Sequence, residues 1–500
     1  MTEDQKSYRQ IFNATSLFGG VQVFNIVISI VRSKIIAVLL GPAGMGIAGL
    51  FTSTTSLVGG ITNFGLGTSA VRDVAAANES GDAGRVSKVV AVFRRLVWIT
   101  GTLGAVVTLV LSPWLSQLTF GNKEYTLAFR WLSVTLLFSQ LASGQNVLLQ
   151  GMRRLKFLAR ANMAGSLVGL LISVPVYYFW RIDGIVPAII ITSIASLIIA
   201  WYFASKIKVD KAVVDRSTVI EEGKGMLKMG FMLSLSGLIT TAASYIVRVY
   251  ISNTGGVADV GLYSAGFAII STYVGLVFTA MSTDYYPRLS GVAHDNREAA
   301  KLINQQAEVA VLILAPILTV FLIFINFVVI LLYSTKFTPV NGMIHWAALG
   351  MYFKAASWSI GFILLAKSAS NLFFWNELIA NIYMLGMNIL GYRIFGLNGL
   401  GISFMVGYLV YLVQVFLLAR HKYQFVFDRE FTRIFTFQFF MGLFCFMIIK
   451  FIPVPWAYIA GVPVIAISAW YSFRELDKRM ELKALFRRKI DKHTSSKGGM

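Results

Sequence analysis

Apolar residues in this chain arrive in runs of about twenty, separated by short polar stretches. A membrane span needs roughly 20 apolar residues, because the hydrocarbon core is about 30 Å thick and a helix rises about 1.5 Å per residue. Each run is expected to be helical, since lipid offers backbone groups no partners. The runs place spans at 11-39, 48-71, 89-111, 127-150, 158-180, 184-205, 226-251, 260-284, 304-332, 342-366, 372-394, 398-419, 432-450 and 455-473. The fold expected is therefore an all-α polytopic membrane protein with about fourteen transmembrane helices. The first run is long enough to require tilt or a bent end.

Composition supports the pattern: 56% of the 500 residues are hydrophobic and only 13% charged. Lys and Arg nevertheless outnumber Asp and Glu by 44 to 23, a net charge of +21. Such an excess suits either nucleic acid or membrane topology. Assigning loops to alternate sides, with the amino terminus in the cytoplasm, gathers most of the basic residues on one side. That side holds Arg153, Arg154, Lys156 and Arg160, and the cluster Lys206, Lys208, Lys211, Arg216, Lys224 and Lys228. The other holds only Lys123, Arg130, Arg181, Lys336, Arg393 and Lys450. The charge is thus mainly an orientation signal, with both termini cytoplasmic and no nucleic-acid partner expected. The basic stretch Arg474 to Lys497 reads as a solvated topology anchor or a contact for anionic membrane lipids.

Several chemistries find no support. Cys445 is the only cysteine, and His294, His345, His421 and His493 are scattered, so neither a disulfide framework nor a metal site is expected. There is no Gly-x-x-x-x-Gly-Lys-Ser/Thr loop for ATP. No cofactor and no catalytic residue is expected, and the polar start from Met1 to Gln10 does not read as a cleavable signal.

The chain repeats itself. Ile30-Val31-Arg32 recurs as Ile246-Val247-Arg248, a shift of 216, which also carries Arg72 onto Arg288. A shift of 215 carries Gly46 onto Gly261 and Trp131 onto Trp346. Six spans separate the copies, an even number, so the repeat is parallel. Two parallel-repeat six-helix lobes around a central cavity follow, a common transporter design. The expected organisation is a first lobe at 1-205, a cytoplasmic basic linker at 206-225, a second lobe at 226-420, two additional helices at 421-473, and a basic tail at 474-500.

Ionised groups inside a span are functional candidates because they are costly there. Lys354 sits midway along the tenth span, as an anion ligand facing a wet cavity or as a cation paired with a buried carboxylate. Arg32 and Arg248 occupy matching places in the first helix of each lobe and would offer two guanidinium forks to phosphate oxygens, unless they snorkel to the interface. Glu377, among Phe374, Trp375 and Ile379, would carry a proton or balance the charge of Lys354. Asp284 and Arg288, and Arg72 and Asp73, read as helix-end salt bridges or as a cytoplasmic gate. Gln140, Gln145 and Asn146 in the fourth span would line a path for sugar hydroxyls or hold helices together.

The segment Lys34-Ile-Ile-Ala-Val-Leu-Leu-Gly-Pro-Ala-Gly-Met-Gly46, with Lys336-Phe-Thr338, Lys354, Ala366-Lys367-Ser368 and Glu377, resembles the O-antigen and enterobacterial-common-antigen flippases. These belong to the multidrug/oligosaccharidyl-lipid/polysaccharide exporter superfamily. The resemblance runs from about residue 10 to 420. It implies a substrate of undecaprenyl-pyrophosphate bearing an oligosaccharide, moved from the cytoplasmic to the periplasmic leaflet of a bacterial inner membrane by alternating access. A polysaccharide polymerase and a chain-length regulator would be partners. Lys354 and Glu377 fall on matching positions, whereas Arg32 and Arg248 rest on the repeat. The two spans after Arg420 depart from the twelve-span pattern.

Two other functions compete. An ion-coupled exporter of organic cations would favour buried carboxylates over the buried bases found here. A non-transporting scaffold for glycan assembly would leave those bases without purpose.

Overall fold

The computed structural model describes residues 3–210, 212 and 214–480, with side chains from residue 20 to 479 apart from Lys211, Val213, Tyr273 and Thr283. Lys211 of the basic cluster and residues 481–500 of the expected tail lie outside the described residues. All the regular elements are helices, and no strand occurs among the described residues. In chain order they are α1 Glu3–Thr62, α2 Leu66–Glu79, α3 Ala83–Val110, α4 Ser112–Phe120, α5 Thr126–Gly151, α6 Leu155–Trp180, α7 Ile185–Ala204 and α8 Arg216–Gly255. There follow α9 Val257–Phe267, α10 Leu276–Gly291, α11 Asn296–Leu332, α12 Asn341–Ala366, α13 Ser370–Tyr423, α14 Arg429–Phe451 and α15 Trp456–Met480.

Eleven helical segments among the described residues are long and apolar enough to cross a membrane. This is fewer than the fourteen hydropathy runs because three segments, Gly20–Thr62, Leu155–Ala204 and Ser370–Tyr423, each contain two runs and a break between them. The breaks have physical causes. Gly41 (φ 67°, ψ −170°) and Gly396 (φ 57°, ψ −139°) take backbone conformations that favour glycine. Between α6 and α7 the chain tightens into a 3-10 turn at Arg181–Gly184. In α13 the halves fold back on each other: Ser403 donates to the Met387 carbonyl at 2.6 Å and Gln414 donates to the Asn376 side chain at 2.8 Å.

Three helices are capped by an aspartate at their start. Asp82 accepts from the Gly84 and Arg85 amides at the start of α3, Asp215 from Thr218 at the start of α8, and Asp428 from Phe431 at the start of α14. Outward faces remain apolar: Phe179, Ile198, Leu390 and Phe451 are all exposed, as lipid-facing side chains must be.

The chain divides into two compact units, one comprising residues up to Ser264 with Leu332–Lys336, the other Ala265–Leu331 with Phe337 onward. In the first, Leu66, Val92, Phe93, Leu96, Val147 and Met226 form a core joining α2, α3, α5 and α8. In the second, Tyr285, Leu289, Ile303, Ile360, Leu364 and Val415 join α10 to α13.

The C-terminal pair α14 and α15 is built into the second unit. Phe446 packs on Trp346 at 4.6 Å, Phe439 meets Tyr352 and Phe353, and Tyr458 stacks on Phe324 at 5.4 Å. Near the far end of α15, Arg479 donates to the buried carboxylates Glu308 of α11 and Glu475, each at 2.7 Å. Asn304 ties α11 to the chain entering α14 by bonding the Val426 carbonyl and the Asp428 amide.

Candidate functional site

Within the first unit a cavity of about 610 Å³ opens between the two halves of α1, α6, α7, α8 and the end of α9. Its size falls in the roughly 300–1,000 Å³ range of small-molecule sites. Arg32 and Arg248 both line it, and among the described residues no carboxylate does. The two arginines that the repeat singled out are thus brought onto one wall system.

The rest of the lining explains what such a cavity could hold. It is rich in hydroxyls: Ser29 and Ser33 beside Arg32, Thr52, Ser53 and Ser56 on the second half of α1, and Thr240, Thr241 and Ser244 beside Arg248. Several of these hydroxyls already donate to carbonyls of their own helix, Thr52 to Ala48 and Thr241 to Gly237, both at 2.8 Å. Their lone pairs are therefore left to accept from a guest. Arg248 is braced by the Ser244 carbonyl at 3.1 Å and its hydroxyl at 2.5 Å, and lies over the Tyr263 ring at 5.7 Å. The Nε of Arg32 is buried without a hydrogen-bond partner. An unsatisfied guanidinium donor in such a place is costly, and an anion would satisfy it.

At one end of the cavity the repeat shows in the backbone. Gly41 and Gly256 stand 215 residues apart and both break a helix with positive φ and extended ψ (67°, −170° and 90°, 169°). Shortly after each break, Gly46 packs against the Val257 carbonyl and Gly261 against the Pro42 carbonyl. The two contacts exchange under the same shift of 215, so this crossing of α1 and α9 sits on the pseudo-symmetry of the repeat. Toward the other end of α8, Gly65 and Gly230 make a second close backbone crossing.

The other sequence candidates are placed elsewhere. Lys354, half-buried in the second unit, has its ammonium 5.2 Å from the Tyr408 ring centre and 5.8 Å from those of Phe278 and Phe404. It makes no ion pair among the described residues. Glu377 does not neutralise it directly: the Glu377 carboxylate accepts from the Tyr411 hydroxyl at 2.5 Å and from the Asn376 amide at 3.2 Å. Arg72 pairs with Asp73 at 2.6 Å and Arg288 with Asp284 at 3.2 Å, each pair within its own helix.

None of Gln140, Gln145 and Asn146 lines the large cavity. Gln140 donates to Thr100 on α3 at 3.1 Å, Gln145 borders a small crevice between α3 and α5, and the Asn146 carbonyl oxygen is buried without a partner. The hydroxyl residues that do line the cavity were missed. Their signal was present as small polar residues at helical spacing beside each arginine: Ser29, Arg32, Ser33 and Thr240, Thr241, Ser244, Arg248.

Comparison with known proteins agrees with this architecture. The chain is 25% identical over 407 residues to the lipid III flippase of Escherichia coli (strain K12), spanning 78% of this chain and 94% of that protein. It is 23% identical over 326 residues to a putative O-antigen transporter of Shigella flexneri, spanning 63% and 75%. Its fold is similar to that of the lipid II flippase MurJ in an inward closed conformation, with a TM-score of 0.71 at 11% identity over 93% of this chain and 99% of that one. The 7% left over is shorter than α14 and α15 together, so the likeness extends into the C-terminal pair. A multidrug resistance MATE family transporter, inward-facing, matches with a TM-score of 0.65 at 16% identity over 83% of this chain and 95% of its own. The resemblance carried by the segment from Lys34 to Gly46 is borne out, and the family described as "Polysaccharide biosynthesis protein" matches residues 35–341. This chain, a multi-pass membrane protein, therefore belongs to the polysaccharide biosynthesis protein family.

Proposed function

We propose that this chain flips a polyprenyl-pyrophosphate-linked oligosaccharide, of the undecaprenyl type, across a bacterial inner membrane by alternating access. The observation that carries the reading is the cavity that pairs Arg32 and Arg248 with a hydroxyl lining and, among the described residues, no carboxylate. The guanidinium groups donate to the phosphate oxygens, and hydroxyl lone pairs accept from sugar hydroxyls. An organic cation would find neither charge complement nor donor in need of it there.

Lys354 is a second anion ligand in this scheme, a cation kept between rings that attract it without neutralising it. The N-terminal lobe at 1-205, the linker at 206-225 and the second lobe at 226-420 supply the two moving bodies. Both termini face the cytoplasm, following the positive residues. Separation at the Gly46–Gly261 crossing opens the cavity at one end. A polysaccharide polymerase and chain-length regulator would receive the product on the far side. The protein transports and catalyses no bond chemistry.

The test is reconstitution of the purified chain in vesicles with a polyprenyl-pyrophosphate-linked oligosaccharide, scoring lectin access to the outer leaflet. Losing one charge-assisted hydrogen bond costs about 1.5–3 kcal/mol, so Arg32→Ala or Arg248→Ala should slow flipping on the order of tenfold or more. Flipping at the parental rate in the double variant, with the protein folded, overturns the proposal.

A further inference from the structure

Gln145, a sugar-path candidate by sequence, borders a separate crevice of about 80 Å³ between α3 and α5. Its floor is apolar, with Val97, Leu141 and Leu148. Its rim is not: Arg94, Trp98 and Gln145 stand around the opening. Gly144 lets α5 lie close against α3 beside the crevice, since a Cβ there would lie 3.0 Å from a Val97 methyl.

Arg94 and Trp98 are one turn apart on α3 and both exposed, and the same face continues outward with the exposed Leu109. On a helix long and apolar enough to cross a membrane, such an exposed face is expected to meet lipid. Arg94 lies five residues, roughly 8 Å along the axis of α3, inside the apolar run that begins at 89. Neither Arg94 nor the Gln145 amide has a hydrogen bond or ion pair among the described residues. A guanidinium at this depth needs an anion or water, and snorkelling brings it level with lipid phosphates.

We propose that this crevice holds one anionic phospholipid of the surrounding bilayer. Arg94 and Gln145 donate to its phosphate, and the upper part of an acyl chain lies on Val97, Leu141 and Leu148. The transported substrate is not the occupant, because a crevice of about 80 Å³ has no room for a pyrophosphate with its sugars, whereas the cavity of about 610 Å³ does. The site would tie one lipid to α3 and α5 whether or not transport occurs.

The experiment is native mass spectrometry of the full chain in mixed micelles containing phosphatidylglycerol or phosphatidylcholine with matched chains. One basic residue near a lipid surface is worth about a fivefold preference for an anionic headgroup, so the parental protein should retain phosphatidylglycerol by about that factor. Arg94→Gln should erase the preference, Gln145→Leu should weaken it, and Arg95→Gln, exposed on the same helix but outside the crevice, should leave it intact. Equal retention of the two lipids overturns the proposal. So does an equal loss in Arg95→Gln, which would mean diffuse charge, or displacement of phosphatidylglycerol by an equimolar polyprenyl phosphate, which would mean a substrate-loading site.

Discussion

Gly46 and Gly261 lie backbone to backbone, each against the carbonyl that stands four residues before the other, Val257 for Gly46 and Pro42 for Gly261. Neither position has space for a side chain. The contact is its own counterpart under the repeat, the placement a symmetric gate would require.

A methyl at Gly261 would collide with backbone, which cannot swing aside as a flexible side chain does. Gly261→Val should therefore shift the population toward a conformer with α1 and α9 apart, seen as faster labelling of cysteines in the cavity. Gly49 and Ser264 offer the converse, since a Cβ at Gly49 lies 3.5 Å from the Ser264 hydroxyl. In a Cys445→Ser background, Gly49→Cys with Ser264→Cys should crosslink on oxidation, stop flipping, and recover on reduction. Undiminished flipping by the crosslinked protein would remove the crossing from the mechanism.

Lys354 has three rings around its ammonium and, among the described residues, no carboxylate paired with it. Lys354→Ala should abolish export of surface glycan in cells while protein level and insertion stay normal, and Lys354→Arg should keep part of it. A full glycan ladder from Lys354→Ala would reject the role.

Glu377 is held by Tyr411 and Asn376, both in α13, which donate to its carboxylate. If it carries a proton, Glu377→Gln should slow flipping and flatten its pH dependence, with Tyr411→Phe in between. Parental rates and an unchanged pH profile in Glu377→Gln would leave it a packing residue.

Glu308 and Glu475 are buried and share Arg479. Removing the arginine strands Glu308, since Glu475 keeps Lys478 at 2.7 Å, a loss on the order of 3 kcal/mol for a largely buried carboxylate. Arg479→Gln should lower the thermal midpoint in detergent more than Arg474→Gln, whose side chain sits over Trp470 at the surface. The double variant Glu308→Gln with Arg479→Gln should recover part of the loss. Additive losses would show that the pair is not coupled.

Much of this protein was legible in one dimension because lipid imposes a length rule. The runs of about twenty apolar residues set the helices, the basic residues between them set the expected orientation, and the shift of 215 to 216 exposed the repeat that pairs Arg32 with Arg248 and Gly46 with Gly261. What a run of hydropathy cannot encode is which side of an all-apolar helix faces a neighbour. Packing of small residues and backbone decides that, and it turned Ser29, Thr52, Thr240 and Ser244 into the cavity while sending Gln140 to Thr100 and Gln145 to the lipid-side crevice. Tertiary structure also parted Glu377 from Lys354, because a phenol and an amide on its own helical hairpin reach the carboxylate first.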